Sequence, residues 1–491
     1  MKQERADALA PTDRRALIAV DLGAESCRVS LLRWIDSSPE MLLVHRFPNA
    51  AREVEGHLRW DLRRIEQGLD EGLRQCVAIA GEGVRSIAVD GWAVDYVRLD
   101  EEGRHPGDPF CYRDERTVEA ERSLHRRCSP QRLRDLTGVQ LLRINTVYQL
   151  HADALMGLPE MRYWLNLPEY MLWRWGGARV AELTNATHTQ MVELSTQQWC
   201  GEIFDAAQID VASAPRIVAP GTRVGRLGGE LAELPGLRDA ALIAPACHDT
   251  ASAIAGIPAE GEDWAYLSSG TWSLVGTLLD QACVSLSAAE ENFTNLGAAG
   301  DRICFHKNVN GMWLIRQCIE AWTIAGRTWD VPELVRAAEA APRPEGMLDV
   351  DEEDLLLPGK MLERINAQRR RQGYQEMDES PENAPAFASL IFHSLAARYA
   401  EVLDRVSVHS GRNFKRLYVV GGGSRNVFLN RLTAEATGLE VVCASAESST
   451  LGNFAVQLAT LEDGGAARRG VSAEQVSRWA GVLAGVDAAR V

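Results

Sequence analysis

Several stretches of this chain gather residue types that can handle phosphate and protons. In Asp21-Leu22-Gly23-Ala24-Glu25-Ser26-Cys27-Arg28 an acid ends an apolar run and a turn of small residues follows. The backbone N–H groups of such a turn can wrap phosphate oxygens. An acid at a strand end can hold Mg²⁺ through water, because magnesium keeps several waters and takes few protein carboxylates. Arg28 can meet phosphate charge. An ordinary hairpin with a solvated acid fits the octapeptide equally well. Ser268-Ser269-Gly270-Thr271-Trp272-Ser273 packs hydroxyls and a glycine into a second tight turn, which reads either as a phosphate seat or as a plain serine-rich turn. Gly421-Gly422-Gly423-Ser424 removes side chains, so backbone can approach a flat ligand or a phosphate closely.

His248-Asp249-Thr250 offers a different chemistry. Phosphoryl transfer to an alcohol needs positioning, charge neutralisation and a carboxylate to accept the hydroxyl proton. Asp249 is the candidate for that base. An aspartate before a helix is also a common N-cap, and for an isolated H-D-T the capping role is the commoner one. Asp90, Trp92 and Asp95 form another polar cluster after an apolar run, with Trp92 either core packing or a wall for a sugar.

The elements that must position these residues follow from the hydrophobic pattern. Ala16–Asp21 and Ser86–Asp90 are short apolar runs ending in an acid, and each reads as a buried strand. Arg28–Trp34 reads as the return strand of a hairpin, Met41–Phe47 as a third strand, and Ala93–Leu99 alternates as another. Asp61 caps a helix with apolar residues three and four apart (Leu62, Ile65, Leu69, Leu73, Cys76). Ala241–Ala246 is a strand running into His248, and Ala251–Ile257 is helical. Trp264–Ser268, the serine turn and Trp272–Thr277 repeat the opening strand–turn–strand. Phe387–Val408 is an amphipathic helix. Arg416–Val420 enters the glycine run, and helix, strand and helix follow through residue 461. Residues 341–385 are charged and proline-bearing and read as a surface excursion with some helix.

This alternation predicts an α/β protein in two related halves, with ligands at the carboxyl ends of strands. The boundary falls near 256–262, giving domains at 1–255 and 256–491. Two phosphate turns in equivalent places of the two halves would clamp a triphosphate across a cleft.

Composition narrows the class. The apolar fraction is 46% and the charged fraction 24%, ordinary for a soluble globular chain. The net charge of −16 disfavours nucleic acid or an anionic membrane as main partner. No apolar run is long enough to span a bilayer, and Met1–Arg15 lacks the apolar stretch of a secretory signal. The expected location is the cytoplasm, with the ten cysteines as free thiols and no CxxC pair to hold zinc. The chain has no G-x-x-x-x-G-K-[ST], no G-x-G-x-x-G after a strand, no D-F-G, no H-E-x-x-H and no G-x-S-x-G, which excludes the readings those motifs carry.

Taken in order, D-L-G-A-E-S-C-R, D-G-W-A-V-D-Y, Y-R-D-E-R-T (112–117), R-I-N-T-V-Y-Q-L (143–150), T-N-A-T-H-T-Q-M (184–191), H-D-T-A-S-A (248–253), Y-L-S-S-G-T-W-S-L (266–274), K-N-V-N-G-M-W-L (307–314) and V-V-G-G-G-S-R-N (419–426) resemble the FGGY carbohydrate kinases, and most closely the members that phosphorylate L-rhamnulose. The resemblance runs from about residue 16 to 462. It implies an actin-like ATPase fold, two ribonuclease-H-like domains with ATP and sugar in the cleft between them. It implies transfer of the ATP γ-phosphate to the 1-hydroxyl of L-rhamnulose, with Mg²⁺.

Carried over by position, Asp249 is similar to the family's catalytic base. His248, Thr250 and Asn308 match sugar contacts, and Ala93 stands where the family has a sugar-contacting glycine. Ala24, Glu25, Ser26, Cys27 and Arg28 match the first phosphate loop, and Thr271 the second. Gly421, Gly422 and Gly423 match the adenosine side, and Asp21 the acid that helps hold Mg²⁺. Arg316 falls where the family has a glutamine that contacts ATP. Glu25 and Cys27 depart from the family's serine and glycine, and Ala93 adds a methyl to the sugar side. The open alternatives are another ketose such as L-fuculose or L-ribulose, and a sugar- or nucleotide-binding regulator without transfer activity. A homo-oligomer is left open.

Overall fold

The computed structural model describes residues 12–159, 161–462, 470–484 and 489–490. Most of the polar start considered above lies outside them.

Ala16–Leu22 (β1) is buried along its whole length. A strand apolar on both faces belongs in the middle of a sheet covered on both sides. Ser26–Ile35 (β2) returns antiparallel to it, with Asp21 opposite Arg28, and Ser38–Pro48 (β3) continues the meander. Leu62–Ile79 (α1) starts at Asp61, whose side chain accepts from the Arg64 amide as the sequence pattern predicts. Val84–Gly91 (β4) then runs parallel to β1 on its other edge, with Asp21 in register with Asp90. Thr222–Arg226 (β5) and Ala241–Ala244 (β6) complete the order β5-β6-β4-β1-β2-β3, and the short strand Ala489–Arg490 lies on β3.

Trp264–Ser269 (β7) and Trp272–Leu279 (β8) form the second hairpin. Arg302–Asn310 (β9), Arg416–Val420 (β10) and Glu440–Cys443 (β11) extend it in the order β9-β8-β7-β10-β11. In both sheets the first strand of a hairpin pairs antiparallel with its partner and parallel with a later strand. The strand orders β3-β2-β1-β4-β6 and β9-β8-β7-β10-β11 are therefore the same, the topological counterpart of the repeat in the sequence.

The chain divides into two compact units that are not two halves of the sequence. Unit 1 is formed from Met1–Glu260, Leu278–Cys304 and Glu447–Val491, and unit 2 from Gly261–Thr277 and Phe305–Ala446. The return to unit 1 has a clear physical cause. Ser448–Glu462 (α4) is buried nearly all round. Its Phe454, Ala455 and Leu458 join Leu17, Ala19, Ala88 and Ile243 in one apolar cluster. The charged stretch 341–385 also differs from its expected surface role. It contains the helix Met361–Arg371, in which Met361 and Ile365 are fully buried. Among the described residues no helix is long and apolar enough to cross a membrane.

Candidate active site

Parallel pairing of β1 and β4 sets Asp21 and Asp90 side by side at the strand ends. The chain after β6 joins them. The Gly91 amide donates to the Cys247 carbonyl at 2.9 Å, and Gly91 bridges to His248. Asp249 follows as the first residue of Asp249–Ala255 (α3). Three segments of unit 1 thus deliver Asp21, Asp90 and Asp249 to one end of its sheet.

Their surroundings differ. Asp90 is fully buried; its Oδ2 accepts from Asn453 Nδ2 at 2.6 Å. Burial above all, then the charge of Asp21, holds its carboxyl well above the ordinary carboxylate range, against the pull of the Asn453 hydrogen bond. Asp21 Oδ2 accepts from Arg28 Nη1 at 2.5 Å and from Ser449 Oγ at 2.6 Å. The Asp249 side chain keeps 36% of its surface open, with Thr250 Oγ1 donating to its Oδ1 at 3.2 Å and His248 Nε2 lying 3.4 Å from the same oxygen. Burial of the surrounding shell, followed by the charge of Asp21, pushes the Asp249 carboxyl up to about 7, while Thr250 and Arg28 oppose the rise. An open carboxyl with that proton affinity can accept a proton near neutral pH.

Several residues outside the motif-derived candidates hold this arrangement. Buried Glu182 accepts from the Cys247 amide at 2.8 Å, and Thr184 Oγ1 accepts from the His248 amide at 3.0 Å. Together they fix the backbone that presents Asp249. Burial raises the Glu182 carboxyl to about 8. His188 stacks edge-on against His248, with ring centroids 4.7 Å apart. Ser449, Asn453 and Gln457 recur every four residues along α4, so they share one helix face. Each takes a polar group of unit 1: Ser449 takes Asp21, Asn453 takes Asp90, and Gln457 takes the Ile18 carbonyl and Ser86. That polar stripe is visible in the sequence. What it faces is not, since its partners lie more than 350 positions away.

The close fit of α3 to α4 depends on Gly452. A Cβ there would sit 1.7 Å from the Ser252 carbonyl oxygen, so only glycine lets the helices approach.

The first turn departs from its expected form. Only Gly23, Ala24 and Glu25 are turn residues, because Ser26, Cys27 and Arg28 already belong to β2. Cys27 is buried in the core, opposite Leu22, and burial pushes its thiol up to about 12. It therefore strains no turn and offers no reactive thiol. Glu25 is exposed, and Ser26 Oγ accepts from Arg46. Asn49 braces the turn, its amide donating to the Glu25 carbonyl and its Nδ2 to the Gly23 carbonyl.

Thr271, Asn308, Arg316 and Gly421–Gly423 belong to unit 2. Its two turns adjoin because β7 and β10 pair in parallel, Ser268 with Val420. Carbonyls of Gly270 and Thr271 accept from the Met312 and Trp313 amides, seating the start of the helix Trp313–Ile324 on the turn. Gly421 adopts φ +81°, a left-handed conformation that glycine takes without steric cost. A Cβ on Gly422 would meet nothing within 4 Å, whereas one on Gly423 would sit 1.9 Å from Ser269 Oγ, so the turn is open at Gly422 and packs directly on the serine turn at Gly423. Asn308 is half-buried on β9. Arg316 is an exposed helix residue whose Nε lies 3.3 Å from Glu320 Oε1.

Asp21, the acid expected to help hold Mg²⁺, is 3% exposed, and both hydrogen bonds given above fall on its Oδ2. Among the described residues no group of three or more His, Cys, Asp or Glu forms a metal cage. Mg²⁺ bound through phosphates needs no such cage, only one or two carboxylates. Trp92, by contrast, is core: it stacks on Trp60 at 4.6 Å and donates to Asp95.

Two sheets share one strand order, one ending in acids and the other in a serine turn and a glycine turn, as expected for a phosphotransferase built of two related halves. The comparisons with known proteins agree. The N-terminal domain of the FGGY family of carbohydrate kinases matches residues 16–256 and its C-terminal domain residues 265–461. The chain belongs to this family. A rhamnulokinase of Bacteroides thetaiotaomicron is 35% identical over 454 residues, covering 91% of each chain. A rhamnulokinase of Enterococcus faecalis is 35% identical over 453 residues, covering 91% of this chain and 89% of its own.

Among solved structures, a gluconate kinase from Lactobacillus acidophilus superposes with a TM-score of 0.73 at 16% identity, covering 95% of this chain and 92% of its own. A glycerol kinase of Plasmodium falciparum with ADP gives 0.71 at 14% identity, covering 97% and 94%. The fold is the actin-like ATPase fold of these sugar kinases.

Proposed function

We propose that the chain transfers the γ-phosphate of ATP to the 1-hydroxyl of L-rhamnulose, with Asp249 as general base. The observation that carries this is the contrast among the three acids. Asp90 is sealed and Asp21 is engaged by Arg28 and Ser449, while Asp249 stays open with a proton affinity near neutrality. The rhamnulokinases of two species supply the ketose.

In this reading Asp249 takes the proton of the attacking hydroxyl, which increases the electron density on that oxygen. His248, Thr250, Asn308 and the Ala93 backbone orient the sugar. The Gly23–Glu25 turn, Arg28 and Thr271 contact phosphates, and Gly421–Gly423 takes the adenosine side. Asp21 would hold Mg²⁺, whose chemistry when bound is to neutralise phosphate charge. A cytoplasmic location goes with this reading, supported by ten free thiols.

The test is a panel of ketoses and polyols with ATP and Mg²⁺, ranked by kcat/KM, run with wild type and Asp249→Asn. L-rhamnulose should rank first, and the variant should lose about 10²–10⁴-fold in kcat with the sugar still bound. A better L-fuculose, L-ribulose or xylulose substrate rejects the ketose; an active Asp249→Asn rejects the base.

A further inference from the structure

Three motifs of the sequence have no part in the chemistry above: the V-D of D-G-W-A-V-D-Y, Y-R-D-E-R-T and R-I-N-T-V-Y-Q-L. In unit 1 they meet at one point. Val94 has φ +73° and is 4% exposed. A β-branched residue in the left-handed region is a steric outlier. Such a conformation persists only where its surroundings over-determine it, and it clusters at functional sites.

Here the surroundings are fully specified. The Val94 carbonyl accepts from Thr146 Oγ1 at 2.8 Å and from Gln149 Nε2 at 3.2 Å, both on the helix Thr146–Leu155 (α2). The adjacent Asp95 is fully buried, and its carboxylate accepts from Trp60 Nε1, Trp92 Nε1, the Tyr112 amide and Gln149 Nε2, at 2.6, 3.0, 3.2 and 2.9 Å. Arg116 then fixes Gln149, donating to its backbone carbonyl at 2.8 Å and to its Oε1 at 3.2 Å.

The Val94 carbonyl is thus satisfied, but three neighbouring backbone groups are not. Among the described residues, the fold supplies no hydrogen-bond partner to the amide and carbonyl of Ala93 or to the amide of Val94. Both residues are nearly buried. Backbone polar groups in such positions are normally paired, so a ligand is the natural partner.

We propose that Thr146, Gln149 and Asp95 are positioning residues that hold Val94 in its strained conformation, so that the Ala93–Val94 backbone stands ready to hydrogen-bond the hydroxyls of the ketose. The clamp, and not the Ala93 methyl alone, then sets how tightly the sugar binds. This rests on the sugar-kinase reading and deepens it.

A double-mutant cycle tests it. Thr146→Val removes the hydroxyl at nearly constant shape and should raise KM for the best ketose of the panel about tenfold with little change in kcat; Thr146→Ser, which keeps the hydroxyl, should restore KM. In a Val94→Gly background the same Thr146→Val change should raise KM less than about threefold. Glycine holds a positive φ without help, so it no longer needs the clamp. A core hydrogen bond with only a structural role would show no such coupling.

The ketose dissociation constant, followed by tryptophan fluorescence, gives the same comparison without turnover. It therefore separates failure of the clamp from failure of the Asp249 assignment. An unchanged KM and dissociation constant in Thr146→Val overturn the proposal. So does an equal loss in both backgrounds. If Val94→Gly does not fold, equal losses in Thr146→Val and Thr146→Ser overturn it as well.

Discussion

Asp21, Asp90 and Asp249 show how neighbours turn one side chain into different reagents. Asp90 is sealed against Asn453, Asp21 carries a guanidinium and a hydroxyl, and Asp249 alone opens outward. The pH dependence follows. A base must be unprotonated to act, and burial together with Asp21 lifts the Asp249 carboxyl to about 7. We predict that log kcat/KM for the ketose rises with unit slope as pH increases, up to about 7, and then levels. A profile already flat at pH 5 would show that the limiting base has an ordinary carboxylate affinity. The acid ends of two apolar runs are legible in the sequence, because a run and its terminal charge are local. That they stand in register is not, since strand pairing decides it.

Among the elements, α4 has the widest structural role. It covers one face of the first sheet with Phe454, Ala455 and Leu458, and it holds Asp21 and Asp90 through Ser449 and Asn453. Its approach to α3 leaves no room for a methyl at Gly452. We predict that Gly452→Ala destabilises the protein by about 1–3 kcal/mol, the usual range for overpacking. Gly481 provides the control. It lies on the helix Ala473–Leu483, and a Cβ there would meet nothing within 4 Å. Gly481→Ala should stabilise by about 0.4–1 kcal/mol through the unfolded chain. Chemical denaturation of both variants checks the pair, and equal effects would remove the close-approach argument. The helical character of 448–462 is readable from its apolar content. Its polar stripe is readable too, but not the acids it serves.

For the whole molecule, the family's two sequence segments and the two compact units divide the chain differently. Residues 16–256 match one family domain, yet the unit that contains them also takes Leu278–Cys304 and Glu447–Val491. We predict that a chain ending at Ala446 fails to fold in unit 1, because Leu17, Ala19, Ala88 and Ile243 lose their cover and Asp90 loses Asn453. Sedimentation and circular dichroism should show aggregated or unfolded material. A soluble monomer with native ellipticity would contradict the assignment of α4 to the core of unit 1.

Local order was set by sequence alone. Apolar runs, their terminal acids, the small-residue turns, the Asp61 cap and the repeated hairpin all depend on residues a few positions apart, where spacing maps directly onto geometry. Tertiary structure decided what depends on distant partners: Cys27 inside a core strand, Glu182 and Thr184 under the Asp249 backbone, Val94 forced past its preferred angles, and α4 returned to the first sheet. Burial and long-range hydrogen bonds set these, and no periodicity in a single chain records which remote group will supply them.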